Sequence, residues 1–324
     1  MRLTFTIARY NPETDARAHP ADYRLDVSRG MTVLDALIRI KHEQDGALAL
    51  RYSCRSAICG SCAMTINGQE KLACRTSVRK EWERHGGIEI GPLRNLPLIK
   101  DLVVDMASFW GKVRAVTPWL ESRPAARPAA EPYRGPDDQR AMPPGTYDFH
   151  NVDACIMCGA CVAACTTHEV SPGFVGPAAL AKADRFLADP RESSAAKTRR
   201  LAELDGPDGI WDCTRCNYCV EVCPKDVKPM EAIVRLRREA IRRGVSNSGG
   251  ARHIVGFADI VSREGRLNEA VMPLKIVGWN VRRLLNLLPL GLRMWLKGKV
   301  PNPFASPIAG IEDIRRIFAA RRSS

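Results

Sequence analysis

The residues best equipped for chemistry in this 324-residue chain are its twelve cysteines, which fall into three groups of four. They are Cys54, Cys59, Cys62 and Cys74; Cys155, Cys158, Cys161 and Cys165; and Cys213, Cys216, Cys219 and Cys223. Thiolates at such close spacing are ligands for zinc or for iron bridged by inorganic sulfide. Disulfides are the other use of so many cysteines. The N-terminus, Met1 to Tyr10, has no uninterrupted apolar segment of the kind that directs secretion, so the chain is expected in a reducing compartment where clustered cysteines bind metal.

The first group has the spacing Cys54-x4-Cys59-x2-Cys62, with eleven residues between Cys62 and Cys74. This is the plant-type ferredoxin pattern, in which a loop wraps a [2Fe-2S] cluster. Gly60, Ser61 and Ala63 are small enough to let backbone amides approach the sulfides. Zinc knuckles use paired Cys-x2-4-Cys units, which this group lacks. The second and third groups each repeat the bacterial run Cys-x2-Cys-x2-Cys-x3-Cys, the last followed by Pro224. In that run three thiolates hold one cubane and the fourth ligates its neighbour. Crossed ligation then gives Cys155, Cys158, Cys161 and Cys223 one [4Fe-4S] cluster, and Cys165, Cys213, Cys216 and Cys219 the other. The histidines (His19, His42, His85, His150, His168, His253) are scattered and read as surface residues. No catalytic constellation competes, so the chemistry expected is electron transfer alone.

The elements that must carry these groups are legible in part. Thr4 to Arg9 and Tyr23 to Val27 alternate as half-buried strands, and Thr32 to Ile40 reads as a helix capped by Thr32. Ala63 to Ile66 and Glu70 to Ala73 form an expected hairpin around Asn67-Gly68. Leu102 to Val116 has helical character, followed by a connector punctuated by Pro118, Pro124, Pro128, Pro132, Pro136, Pro143 and Pro144. Beyond residue 150 the periodicity predicts only helices: Pro177 to Leu187, Ser194 to Leu204 and Met230 to Arg243. From about 250, amphipathic stretches are separated by Pro273, Pro289, Pro301, Pro303 and Pro307.

Charge is unevenly spread. Of a net +13, residues 225–324 hold 20 Lys and Arg against 8 Asp and Glu, an excess of 12. A basic tail suits an acidic partner or an anionic surface. Nucleic-acid binding is disfavoured, because the positive charge lies away from the clusters and neither a helix-turn-helix nor an aromatic stacking platform is present. Val271 to Trp295 is interrupted by Lys275, Arg282, Arg283 and Arg293, which leaves it short of a membrane span.

Over about residues 1 to 245 the sequence resembles a known family, the iron-sulfur subunits of succinate dehydrogenase and fumarate reductase, the respiratory complex II group. The resemblance rests on Arg51-Tyr52-Ser53-Cys54-Arg55, Ile58-Cys59-Gly60-Ser61-Cys62-Ala63-Met64, the short spacing to Cys74, Leu96 to Asp105, Gly176-Pro177-Ala178-Ala179-Leu180, Arg185-Phe186 and Cys223-Pro224-Lys225. It implies an α+β architecture. A β-grasp, plant-type ferredoxin domain (1–105) precedes a helix and Pro-rich connector (106–147), an all-α ferredoxin domain with two cubanes (148–248) and a basic C-terminal docking tail (249–324). It also implies a partner flavoprotein holding FAD, succinate and fumarate as that partner's substrates, and a position on the cytoplasmic side of a membrane, held there through partner subunits. No substrate site is expected on this chain. A relay serving another flavin dehydrogenase or a thiol-driven reductase is the alternative.

Four positions depart from the family. Most members hold a [3Fe-4S] centre at the third site because no cysteine stands where this chain has Cys216; the added thiolate predicts [4Fe-4S], with [3Fe-4S] expected only if Cys216 is not a ligand. Thr166 replaces the usual Pro. Val170 and Thr214 stand where the family has a Trp and a His that border a quinone pocket. These changes resemble the non-classical branch, whose electron acceptor is a cysteine-rich subunit similar to a heterodisulfide reductase chain; a membrane-anchor subunit on the quinone side is the other partner the resemblance implies, and the tail from about 250 is expected to dock the acceptor.

Overall fold

A computed structural model describes residues 1–121, 149–278, 281–299 and 306–322. The prolines from Pro124 to Pro144, and Pro301 and Pro303, lie outside the described residues. The chain divides into two compact units, Met1–Leu236 and Arg237–Ser324, and every cysteine lies in the first.

The first unit opens with a five-stranded sheet. Strand β1 (Arg2–Arg9) pairs antiparallel with β2 (His19–Asp26) and parallel with β5 (Ile88–Gly91), so Phe5 faces Ile88 and Ile7 faces Ile90. Strand β3 (Ala63–Ile66) pairs antiparallel with β5 and with β4 (Gln69–Leu72), giving the order β2-β1-β5-β3-β4. The β3–β4 hairpin turns at Asn67 and Gly68 with φ of 48° and 76°. Two consecutive positive φ values define the turn that Asn-Gly favours, because its twist matches that of the strands.

Helix α1 (Val33–Glu43) starts as expected. Thr32 Oγ1 accepts from the Asp35 amide while the Asp35 carboxylate accepts from the Thr32 amide, a reciprocal cap. Its buried face is Val33, Leu34, Ala36, Leu37 and Ile40, which packs with Phe5, Ile7, Ile66, Ile88 and Ile90. Asp101 is buried and ties three segments together: it accepts from Arg9 Nε and the Tyr10 amide at 2.9 Å each, and from the Ala49 amide at 2.7 Å.

The helix expected over Leu102 to Val116 is shorter. Helix α3 spans Ala107–Ala115, because Val103–Val104 forms strand β7 paired with β6 (Leu98–Lys100). Helix α2 (Val78–His85), with Ser77 as its cap, was not anticipated.

After residue 149 only helices and turns occur among the described residues. A 3-10 turn (Val152–Ala154) leads into α4 (Ala160–Ala163) and α5 (Thr166–Val170). Then come α6 (Pro177–Ala188), α7 (Ser194–Leu204), α8 (Tyr218–Glu221) and α9 (Pro229–Arg242). Pro177 opens α6, where a missing amide proton costs nothing. Asp184 on α6 accepts from Arg235 Nε and Nη2 on α9 at 2.9 and 2.7 Å. At the end of α6, buried Asp189 receives Arg185 and Arg191 at 2.7 Å each.

In the second unit, α10 (Gly249–Glu264) packs on α11 (Met272–Val277), where Lys275 Nζ donates to Asp259 at 2.8 Å. Helices α12 (Val281–Leu296) and α13 (Ile311–Arg322) complete it. Among the described residues no helix is long and apolar enough to cross a membrane.

Candidate iron-sulfur sites

The loop from Cys54 to Cys62 is built to hold negative sulfur. Arg55, Ala57 and Gly60 have φ of 56°, 55° and 75°, and these left-handed residues turn successive amides inward. Cys54 Sγ accepts from the amides of Ser56, Ile58 and Cys59 at 3.3, 3.4 and 3.3 Å. Those amides pull the Cys54 thiol down to about 6. Cys62 is buried, and burial pushes its thiol up to about 12, with Cys74 and Cys59 as thiol neighbours. The Ala73 amide donates to Cys62 O at 3.0 Å, which holds the hairpin end that carries Cys74 against the loop. All four members of the first group therefore converge.

The two later runs share one backbone. Met157 and Arg215, each just before the second cysteine, have φ of 55° and 58°; Gly159 and Asn217, each just after it, have φ of 82° and 73°. A one-turn helix follows in both, α4 after Gly159 and α8 after Asn217. Cys216 thus occupies the place in its run that Cys158 occupies in the other.

Their thiols sort across the runs. Cys155, Cys158, Cys161 and Cys223 line one cavity together with Ile156, Met157 and Val227. Burial raises the thiols of Cys155 and Cys158, the latter to about 11, and Cys223 is a thiol neighbour of both. Cys161 is pushed well above the ordinary value by burial, with Cys158, Cys155, Cys219 and Cys223 around it. Cys165 is raised by burial and feels Cys216 and Cys213, while Cys219, pushed by burial to about 12, feels Cys213, Cys165 and Cys216. Cys219 also appears among the neighbours of Cys161, so the two sets are adjacent.

Cys216 is exposed, and its thiol is lowered: burial raises it, but Thr166, the Tyr218 amide and Thr214 together outweigh that. Thr166 Oγ1 donates to Cys216 Sγ at 3.6 Å. Among the described residues, no three His, Cys, Asp or Glu side chains are drawn tightly enough to share a single metal ion. A cluster asks for a wider cage, since its four protein sulfurs are shared out over two or more irons, and the donor set here is all thiol.

Three features escaped the sequence reading. Gly60 is small for a reason beyond amide access: a Cβ there would lie 2.8 Å from Cys158 Cβ and 3.0 Å from Ile156 O, so the first loop touches the second run directly. Asn95, itself at φ 61°, donates through Nδ2 to the carbonyls of Val162, Ala163 and Cys165 at 3.0 Å each and so caps the turn that carries Cys161 and Cys165. The Thr166 hydroxyl is the third. Five of the six histidines are exposed as expected, but His168 is buried beside Lys112 and the Phe174 carbonyl.

The comparisons with known proteins bear on all three sites. Residues 4–111 match a family model described as a 2Fe-2S iron-sulfur cluster binding domain, and residues 151–227 match a 4Fe-4S dicluster domain. The fumarate reductase iron-sulfur subunit of Haemophilus influenzae is 38% identical over 235 residues, which is 71% of this chain and 90% of that one. The chain belongs to the fumarate reductase and succinate dehydrogenase iron-sulfur subunit family. The fumarate reductase iron-sulfur subunit of Mycobacterium tuberculosis is 38% identical over 239 residues, 74% of this chain and 93% of its own. The succinate dehydrogenase iron-sulfur subunit of Coxiella burnetii is 37% identical over 245 residues, 74% and 97% respectively. A chain of the Mycobacterium smegmatis Sdh1 complex in the apo form shares the fold at TM-score 0.64 and 23% identity, over 76% of this chain and 98% of that chain. The protein is thus the electron-transferring iron-sulfur subunit of an oxidoreductase complex of this family, with one [2Fe-2S] domain and one two-cluster domain.

Proposed function

We propose that Cys54, Cys59, Cys62 and Cys74 hold the [2Fe-2S] cluster, that Cys155, Cys158, Cys161 and Cys223 hold one [4Fe-4S] cluster, and that Cys165, Cys213, Cys216 and Cys219 hold a second [4Fe-4S] cluster in place of the [3Fe-4S] centre general in the family. The observation that carries this reading is the shared backbone of the two runs, with left-handed residues on both sides of Cys158 and of Cys216. A β-grasp, plant-type ferredoxin domain over 1–105 and an all-α ferredoxin domain over 148–248 are the parts that hold them. When bound, the clusters store and pass single electrons.

The chain's own residues set the conditions for that. Amides of Ser56, Ile58 and Cys59 stabilise negative sulfur at the entry site. Burial of Cys62, Cys161, Cys165 and Cys219 keeps water from the sites. The contact of Gly60 with Cys158 keeps the first two sites adjacent. Electrons would enter from FAD in a flavoprotein partner that interconverts succinate and fumarate.

The exit would be to another protein. Val170 is 87% exposed, and Thr214, Cys216 and Tyr218 are exposed around the third site. That surface, without the Trp and His of a quinone pocket, suits docking of a cysteine-rich acceptor subunit on the cytoplasmic side of a membrane. Iron determination tests the ligand scheme. Cys216→Ala is expected to lose one iron per chain relative to the native protein when both are purified anaerobically; unchanged iron would remove Cys216 from the ligand set.

A further inference from the structure

Helix α12 is an amphipathic helix whose apolar stripe stays exposed among the described residues. Val281, Leu285, Leu288, Leu292 and Trp295 follow the spacing i, i+4, i+7, i+11 and i+14, which places them along one face. They are 67%, 56%, 62%, 58% and 67% exposed. At 100° per residue, Arg282 and Arg293 fall at one edge of this stripe. Between Glu269 and Glu312 the sequence has no acidic residue at all, but it has six cations: Lys275, Arg282, Arg283, Arg293, Lys297 and Lys299.

That charge pattern narrows what can cover the stripe. A second copy of the helix would bring like charges together with no acid to offset them. The segment also lies beyond residue 227, where the second family match ends. A Leu- and Trp-bearing face edged by Arg, on a helix that does not span a bilayer, is what an anionic lipid surface accepts: the apolar stripe enters the acyl boundary and the cations meet phosphate headgroups.

We infer that α12 binds directly to the anionic surface of a phospholipid bilayer, so that this subunit carries its own membrane contact in addition to any made through partner subunits. Bulk positive charge alone would not require it. The apolar stripe does, since its five side chains stay more than half exposed among the described residues.

Flotation of the full cluster-loaded chain with vesicles tests this, using phosphatidylcholine with and without phosphatidylglycerol. The native chain is expected to float with the phosphatidylglycerol vesicles, to remain largely behind with phosphatidylcholine alone, and to be released by salt as screening shortens the reach of the charges. Each cation near such a surface contributes about fivefold in partitioning, so Arg293→Gln with Lys297→Gln should weaken flotation roughly 25-fold. Leu288→Glu with Leu292→Glu should abolish it while leaving the melting temperature unchanged, because both side chains are exposed. Failure of the native chain to float, or flotation of the Leu variant equal to native, would overturn the inference. So would a Leu variant that floats normally yet no longer assembles with its partner subunits, which would assign the stripe to a protein.

Discussion

Substituting Gly60 with Ala perturbs the junction between the first loop and the second cysteine run, and Gly68→Ala supplies an internal control. Both glycines are left-handed, with φ of 75° and 76°, so a Cβ at either costs about 1–2 kcal/mol of conformational strain. They differ in what that Cβ meets. Nothing lies within 4 Å of the one at Gly68, whereas the one at Gly60 lies 2.8 Å from Cys158 Cβ and 3.0 Å from the backbone of Ile156. Neither neighbour can swing away, because one is a Cβ fixed to its own backbone and the other is main chain. Overpacking of that kind adds about 1–3 kcal/mol, for a total near 2–5 kcal/mol at Gly60. In a unit of 236 residues each kcal/mol lowers the melting temperature by about 2–4 °C. Thermal unfolding of the cluster-loaded chain should therefore fall by a few degrees for Gly68→Ala and by roughly 4–20 °C for Gly60→Ala. Stopped-flow reduction should also show the second site filling more slowly in Gly60→Ala, because the two loops must separate. Equal melting shifts for the two variants, with unaltered reduction kinetics, would refute the direct contact.

Asn95→Ala removes three hydrogen bonds to the turn carrying Cys161 and Cys165, and is expected to cost about 1–3 kcal/mol in unfolding free energy. Asn95→Gly should cost about 1 kcal/mol less than Asn95→Ala, since it relieves the left-handed backbone; the reverse order in denaturant titration would contradict the geometry. Asp189 is buried, which alone would raise its pKa, but Arg191 and Arg185 hold its carboxyl well below the usual range. Its stabilising contribution is present above the unfolded value of 3.8 and is lost as pH falls through the lower folded value. Asp189→Asn should therefore cost about 1–3 kcal/mol at neutral pH and progressively less in acid; a cost independent of pH in unfolding measurements would count against the charged pair. Thr166→Val deletes the hydroxyl donor to Cys216 Sγ, and hydrogen bonds to sulfur stabilise the more negative, reduced cluster. A redox titration followed by electron paramagnetic resonance should find the potential of the third site lowered, with the other two unmoved.

Much of this was written in the sequence. The cysteine spacing, the Asn67-Gly68 turn and the Thr32 cap are local rules, satisfied by residues close together in the chain, and the buried face of α1 consists of the five apolar residues its periodicity picks out. Helix α7 runs over the expected Ser194–Leu204. The elements that escaped have reasons to be quiet. Helix α2 buries only Val78 and Glu81, so it has no apolar period to detect. The central strand β5 is four residues long, and its two inward isoleucines are too few to show alternation. Residues 103–104 read as part of a helix because their β partner, Leu98–Lys100, is known only once the chain has turned back on itself. In the same way, the contact of Gly60 with Cys158 and the reach of Asn95 to Cys165 join residues 70 to 98 positions apart, a separation on which spacing rules are silent.

A Cys216 that ligates iron as Cys158 does would give this chain a third cluster with four irons. Electron paramagnetic resonance of the anaerobically purified, oxidised protein tests it most directly, since a [3Fe-4S] centre is paramagnetic in that state and a [4Fe-4S] centre is silent. The account predicts a native protein without a [3Fe-4S] signal and a Cys216→Ala variant that acquires one. A strong [3Fe-4S] signal in the native protein, unchanged by Cys216→Ala, would contradict it.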